Sequence, residues 1–180
     1  MPDGGSSATA PTLGIPRVAG GECHAEQMLN GYGWCVLRAE QPDPADSFGM
    51  DLSNDERHDA MNTAMWAEFR VWLDQHDDSL LRWDFVERWN NAEGVLTFSV
   101  SRNHRASVVW EMLEWIASRG RGSYGLFYAH DSEDIPSVNR YGRGQADHSN
   151  EFRVHRLLHG EITELPDPFF GPNLRGLESP

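Results

Sequence analysis

Apolar residues recur along this chain with two periods, and the changes of period mark out its elements. Tyr32, Trp34 and Val36, with Ala39 close to the same phase, lie near alternate positions and predict a half-buried strand over residues 32–40, which Pro42 and Pro44 stop. A helix is predicted from Ser53 or Asn54, either a good N-cap. Asp55 and Glu56 follow in the first turn, where the helix dipole favours acids. Met61, Met65, Phe69, Trp72 and Leu73 continue at helical spacing, and the pattern fades around residues 76–78. Leu81, Trp83 and Phe85, a turn over residues 90–94, and then Leu96, Phe98 and Val100 read as a hairpin.

A second helix is predicted over residues 106–118, where Val108, Val109, Met112, Leu113, Trp115 and Ile116 form one broad apolar stripe; Gly120 and Gly122 terminate it. Residues 123–129 form a compact apolar strand. A polar loop over 131–149 carries Gly142 and Gly144. Strands over 151–158 and 161–165 flank a turn at Gly160, and Pro166, Pro168, Pro172 and Pro180 leave an extended tail. The resulting order is β-α-β-β-α-β-β-β. It predicts an α+β fold: a mostly antiparallel sheet with two helices packed on one face. The seven tryptophans divide between helices (Trp66, Trp72, Trp110, Trp115) and strands (Trp34, Trp83, Trp89). Most are expected in the core, with Trp89 the best candidate to face outward as an interface anchor.

Composition bounds what such a fold can be. In 180 residues, 39% hydrophobic and 11% aromatic content is enough to build a core without staples. Residues 1–25, rich in Gly, Ser, Ala, Thr and Pro, are expected to be a disordered leader, and residues 26–180 a single domain. No stretch has the length of apolar sequence that spans a bilayer, and the N-terminus lacks the basic start and apolar run of a secretory signal. The two cysteines, Cys23 and Cys35, read as free thiols in a reducing cytoplasm.

Charge changes the picture more. Fifteen basic residues, all Arg, stand against 28 acids, for a net charge of −13. A field of that sign repels phosphate backbones and anionic lipid, so neither nucleic acid nor membrane is an expected partner. It favours a basic protein, although solubility alone explains an acidic surface equally well. The acids are densest over residues 40–59, where Glu40, Asp43, Asp46, Asp51, Asp55, Glu56 and Asp59 face only Arg57, and Asp74, Asp77 and Asp78 extend the run. These residues and Trp89 are the candidate partner-binding set.

Candidate catalytic chemistry is thin. Eight histidines invite a metal, but His155 and His159 are four apart on a predicted strand, and neither HExxH nor paired CxxC accompanies them. Asp131, Glu133 and Asp134 could serve a hydrolase or bind Mg²⁺; capping backbone N–H groups in a turn explains them more simply. Asn103, His104 and Arg105 lie between a strand and a helix, where Asn is a turn or cap residue before it is a catalytic one. Gly142-Arg143-Gly144 lacks the rest of a phosphate-binding pattern. Neither metal nor cofactor is expected.

Several stretches, in order, resemble the immunity protein 7 family of bacterial polymorphic toxin systems. They are Gly33-Trp34, Asn103-His104-Arg105, Glu114-Trp115-Ile116-Ala117 running into Gly122-Ser123-Tyr124-Gly125-Leu126, and Asp131-Ser132-Glu133-Asp134; then Asn150-Glu151-Phe152-Arg153-Val154, Asp167-Pro168-Phe169-Phe170 and Glu178. The chain departs from the family pattern in its leader, a longer stretch between Asp134 and Asn150, and the tail Gly171-Pro172-Asn173-Leu174. The resemblance implies a small α+β protein without catalytic activity that neutralises a cognate toxin, here one expected to be basic. The family-pattern residues are expected to be scaffold. Ser123, Tyr124 and Gly125 would let a strand pack closely on the second helix, and Asn150 and Glu151 would tie the long loop to the sheet. The alternatives are a metal-dependent hydrolase using Asp131, Glu133, Asp134 and a histidine, or an acidic mimic of nucleic acid. Oligomeric state is open.

Overall fold

The computed structural model describes residues 29–41, 52–88, 93–102, 107–138, 142 and 144–169, without the side chains of residues 52–55, 88 and 102. Its elements are β1 (Leu29–Leu37), α1 (Leu52–Gln75), β2 (Leu81–Arg88), β3 (Glu93–Arg102), α2 (Ser107–Arg119), β4 (Tyr124–Asp131), β5 (Phe152–Leu158) and β6 (Glu161–Pro166). Order and class match the sequence expectation of an α+β protein. All six strands join one sheet in the order β2-β3-β1-β4-β5-β6, every neighbouring pair antiparallel. The hairpins β2-β3 and β5-β6 are local pairings. His159 (φ 55°) and Gly160 (φ 79°) close the second of them with two successive left-handed residues, the geometry a two-residue hairpin needs. β1 comes first in the chain and sits in the middle of the sheet.

Both helices cover one face. From α1, Met65, Trp66, Phe69 and Leu73 are buried; from α2, Val108, Val109, Met112, Leu113, Ile116 and Ala117. Phe69 is the hinge of this layer, its ring 5.3 Å from Phe85 of β2 and 5.2 Å from Trp115 of α2. Trp110 lies 5.4 Å from Phe127 and 4.6 Å from His155, which carries α2 over β4 and β5.

The burial of β1 corrects the sequence reading. Its helix-facing residues are Leu29, Gly31, Gly33, Cys35 and Leu37, whereas Tyr32 and Trp34 point to the other side, 58% and 40% exposed. The reason lies in the neighbours. Phe98 of β3 and Phe127 of β4 flank Gly33 in register, and their rings lie 5.4 Å apart across the space above β1. A Cβ on Gly33 would collide with the Phe98 ring and the Leu126 carbonyl, and one on Gly31 with the Phe127 ring. Aromatic rings from adjacent strands therefore fill the core volume that β1 leaves empty. Trp83, also expected in the core, is 38% exposed on the edge strand β2.

Hydrogen bonds tie the helices to one end of β1. The Trp66 indole donates to the Leu37 carbonyl at 3.0 Å, and Asn62 Oδ1 accepts the Ala39 N–H at 2.8 Å. Ser123, fully buried, accepts the Arg38 N–H at 3.0 Å and donates to the Arg38 carbonyl at 3.1 Å. The sequence reading placed Gly125 against the second helix; it instead lies against β1, where a Cβ would strike the Trp34 carbonyl and Cys35. Close approach is required between strands there, not between strand and helix.

Candidate partner-binding surfaces

Three regions could carry chemistry, and the fold treats them differently. The first is the acidic run. Asp43, Asp46, Asp51, Trp89, Asn103, His104 and Arg105 lie outside the described residues, as does the side chain of Asp55. Of the rest, Glu40 is paired with Arg57 at 3.0 Å, and Asp78 Oδ1 accepts the Leu80 N–H at 3.0 Å, capping the turn after α1. Glu56, Asp59, Asp74 and Asp77 are exposed. They cluster at opposite ends of a 24-residue helix, and the 15 residues from Asp59 to Asp74 rise about 22 Å. Between them, Glu68 pairs with Arg119 at 2.8 Å and Arg70 with Glu87 at 2.9 Å. The run that looks continuous in sequence is thus two separate acidic ends.

The second region is the turn after β4. Asp131, Glu133 and Asp134 are all buried, and Asp131 Oδ1 accepts the Glu133 N–H at 2.9 Å. The Asp131 carbonyl takes the Asp134 N–H and the Asp134 carbonyl takes the His148 N–H, at 3.1 and 2.9 Å. His148 Nδ1 lies 2.9 Å from Glu151 Oε2, and Arg153 bridges Glu151 at 3.6 Å and Glu164 at 2.6 Å. This network ties the long loop to β5 and β6, the role expected for Glu151; Asn150 is exposed. The cavity that Ala129, Asp131, Asp134, His148, Glu151, Arg153 and His155 enclose holds about 10 Å³, room for a single water. No substrate fits. The Asp131 carboxylate caps the turn, the simpler of the two roles expected from the sequence.

The histidines have separate surroundings. His155 is buried between Trp110 and Phe127, while His159 is exposed in the hairpin turn. Among the described residues, no group of three or more His, Cys, Asp or Glu is placed to hold a metal ion. Burial lowers the pKa of His130, opposed by a hydrogen bond with the Ser149 backbone and by the charge of Asp131. Burial pushes the Cys35 thiol up to about 12. Asp167 is buried and its Oδ1 accepts the Phe169 N–H at 2.9 Å, which holds Phe169 outward beyond Pro168.

The third region is the sheet face away from the helices, and sequence reasoning missed it. Register sets out its rows. Tyr32 lies beside Tyr128, followed by Val154 and Leu165; Trp34 lies beside Leu126; Val36 lies between Val95 and Tyr124. The Tyr32 and Tyr128 rings stack at 5.3 Å, Trp34 meets Tyr124 edge-on at 6.1 Å, and the Arg38 guanidinium sits 6.0 Å from the Tyr124 ring centre. The alternation of Tyr32, Trp34 and Val36 is the available signal, but alternation alone does not say which side of the strand is covered.

Among the described residues, no helix is long and apolar enough to cross a membrane. Comparison with curated proteins and with solved structures found no match. A family model, immunity protein 7, matches residues 28–178, from the residue before β1 to beyond the last described strand. Within that span lie the residues whose placement is now explained: Ser123 pinning Arg38, Trp115 against Phe69, and the Asp131–Glu151 network. The match covers most of the chain, and the chain belongs to the immunity protein 7 family.

Proposed function

We propose that this protein neutralises its cognate toxin by direct contact, as a stoichiometric inhibitor and not as an enzyme. Membership of an immunity-protein family supplies the class of partner: a toxin of the same system. The observation that carries the reading is the charge on the outer surface of α1 and the turn after it, which draws the partner in. There Glu56, Asp59, Asp74 and Asp77 are exposed and make no ion pair among the described residues, while Glu40, Glu68 and Glu87 are each paired with an arginine. Unpaired carboxylates on a chain of net charge −13 form a field that draws a basic domain toward the protein. If the toxin is a nuclease, its phosphate-binding surface has that sign, and the field of these acids steers it toward the inhibitor.

Co-expression tests the reading. Cells producing the toxin domain encoded next to this gene survive when the full chain is made with it. Purified protein binds the inactivated domain one to one, with an association rate approaching ~10⁸ M⁻¹s⁻¹ at low salt. The combined variant Glu56→Gln, Asp59→Asn, Asp74→Asn and Asp77→Asn slows association severalfold at low salt and flattens its salt dependence. Survival without any complex, or turnover of a substrate by the chain alone, would sink the proposal.

A further inference from the structure

We infer that the toxin seats on the open face of the sheet, on the aromatic cluster of Tyr32, Trp34, Tyr124, Leu126 and Tyr128, and not on the acidic helix α1. The inference deepens the toxin-neutralising reading and rests on it.

Three observations lead there. The first is exposure: among the described residues, no element covers this side of the sheet. The helices pack on one side of the sheet, yet the other side carries Tyr32, Trp34, Val86, Leu158 and Leu165 as exposed large apolar residues. Contiguous exposed apolar surface of this kind, with paired aromatic rings, is what a desolvated contact uses.

The second is charge. Among residues whose side chains are described, the charges on this face are Arg82 and Arg156 by register and Arg38 over Tyr124, against Asp84, Glu93 and Glu161, three of each sign. On a chain of −13, that balance among the described side chains leaves most acids elsewhere. The protein's field then draws a basic partner in from a distance, while this face can lose its water without stranding carboxylates. The same net charge opposes a second copy of the chain as occupant. The rings themselves suit cationic side chains, because their faces are electron-rich and Arg38 already lies over Tyr124.

The third is size. Six strands spaced about 4.8 Å apart, by some seven residues at about 3.3 Å each, give on the order of 550 Å² in projection. Side-chain relief brings the accessible area toward the ~800 Å² that one partner contributes to a standard interface. The occupant is therefore a basic surface of the toxin presenting Arg or Lys to the rings. α1 contributes attraction at a distance and little contact.

Hydroxyl-radical footprinting of the full-length chain, free and bound to the inactivated toxin domain encoded beside it, tests the placement without altering the fold. Tyr32 and Trp34 should be oxidised in the free protein, and they, Tyr124 and Tyr128 protected in the complex. In titration calorimetry, Trp34→Ser should weaken binding by about 30-fold or more, the scale of a lost hot spot, and Trp34→Phe should restore most of it, with circular dichroism unchanged for both. Three results would overturn the inference. One is rings already protected in the free monomer, which assigns the face to this chain's own segments. Another is protection that rises with protein concentration alone, which assigns it to a second copy. The third is protection confined to α1 with the rings still labelled, which leaves neutralisation by contact standing. Absence of both binding and rescue would instead remove the reading on which the inference rests.

Discussion

Replacing Gly33 by Ala tests why β1 turns its aromatic side outward. The added Cβ would collide with the Cζ and Cε1 atoms of Phe98 and with the Leu126 carbonyl of the neighbouring strand. Overpacking a well-filled core costs about 1–3 kcal/mol. Alanine also restricts the unfolded chain, which offsets about 0.4–1 kcal/mol of that. The net destabilisation expected is about 1–2 kcal/mol, or roughly 2–8 °C in melting temperature for a domain of this size. Phe98→Leu removes the ring atoms in the way, at a cost of about 1–2 kcal/mol for the lost apolar contact on its own. The two residues are register partners, so the costs should not add: the double variant should be at least about 0.5 kcal/mol more stable than their sum, the remaining strain coming from the Leu126 carbonyl. Urea unfolding of the four proteins, with m-values unchanged, measures the coupling. A Gly33→Ala variant as stable as wild type, or strict additivity, would refute the claim that ring volume from β3 and β4 decides which side of β1 is buried.

Three further outcomes follow from the geometry. Ser123→Ala removes both bonds to Arg38 from a fully buried position and should cost about 1–3 kcal/mol in chemical denaturation, whereas Ser118→Ala, exposed on α2, should cost well under that. The pKa of His130 is lowered in the fold, so the unfolded chain binds its proton first. Stability from this residue is complete above the ordinary value of 6.5 and falls as pH drops below it. His130→Gln should therefore flatten the stability curve below about pH 6.5, and parallel curves for the two proteins would contradict the assignment. Cys35, buried and with its thiol raised to about 12, should react with a thiol reagent at pH 8 only as fast as the protein opens, so added urea accelerates labelling in step with unfolding.

The order of elements was legible in the sequence because it depends on local information. The α2 stripe from Val108 to Ile116, the proline stops and the alternation of the two hairpins all act over a few residues, whereas α1 begins at Leu52, ahead of the caps expected at Ser53 or Asn54. Short polar side chains beside glycines and strand ends read as backbone ties, and Ser123 and Asp131 make such bonds. The spatial spread of the acids was not legible, because sequence spacing ignores the helix rise that separates Asp59 from Asp74 along α1, and because arginines from α2 and elsewhere pair with acids between and beside them.

Tertiary structure alone decided the central place of β1 and the face it buries. Alternation gives a strand two distinguishable sides but does not say which one is covered, because that depends on what the neighbouring strands place above it. Here Phe98 and Phe127 come from far along the chain to occupy the space over Gly31 and Gly33. The glycine side thereby becomes core, and Tyr32 and Trp34 are left facing outward.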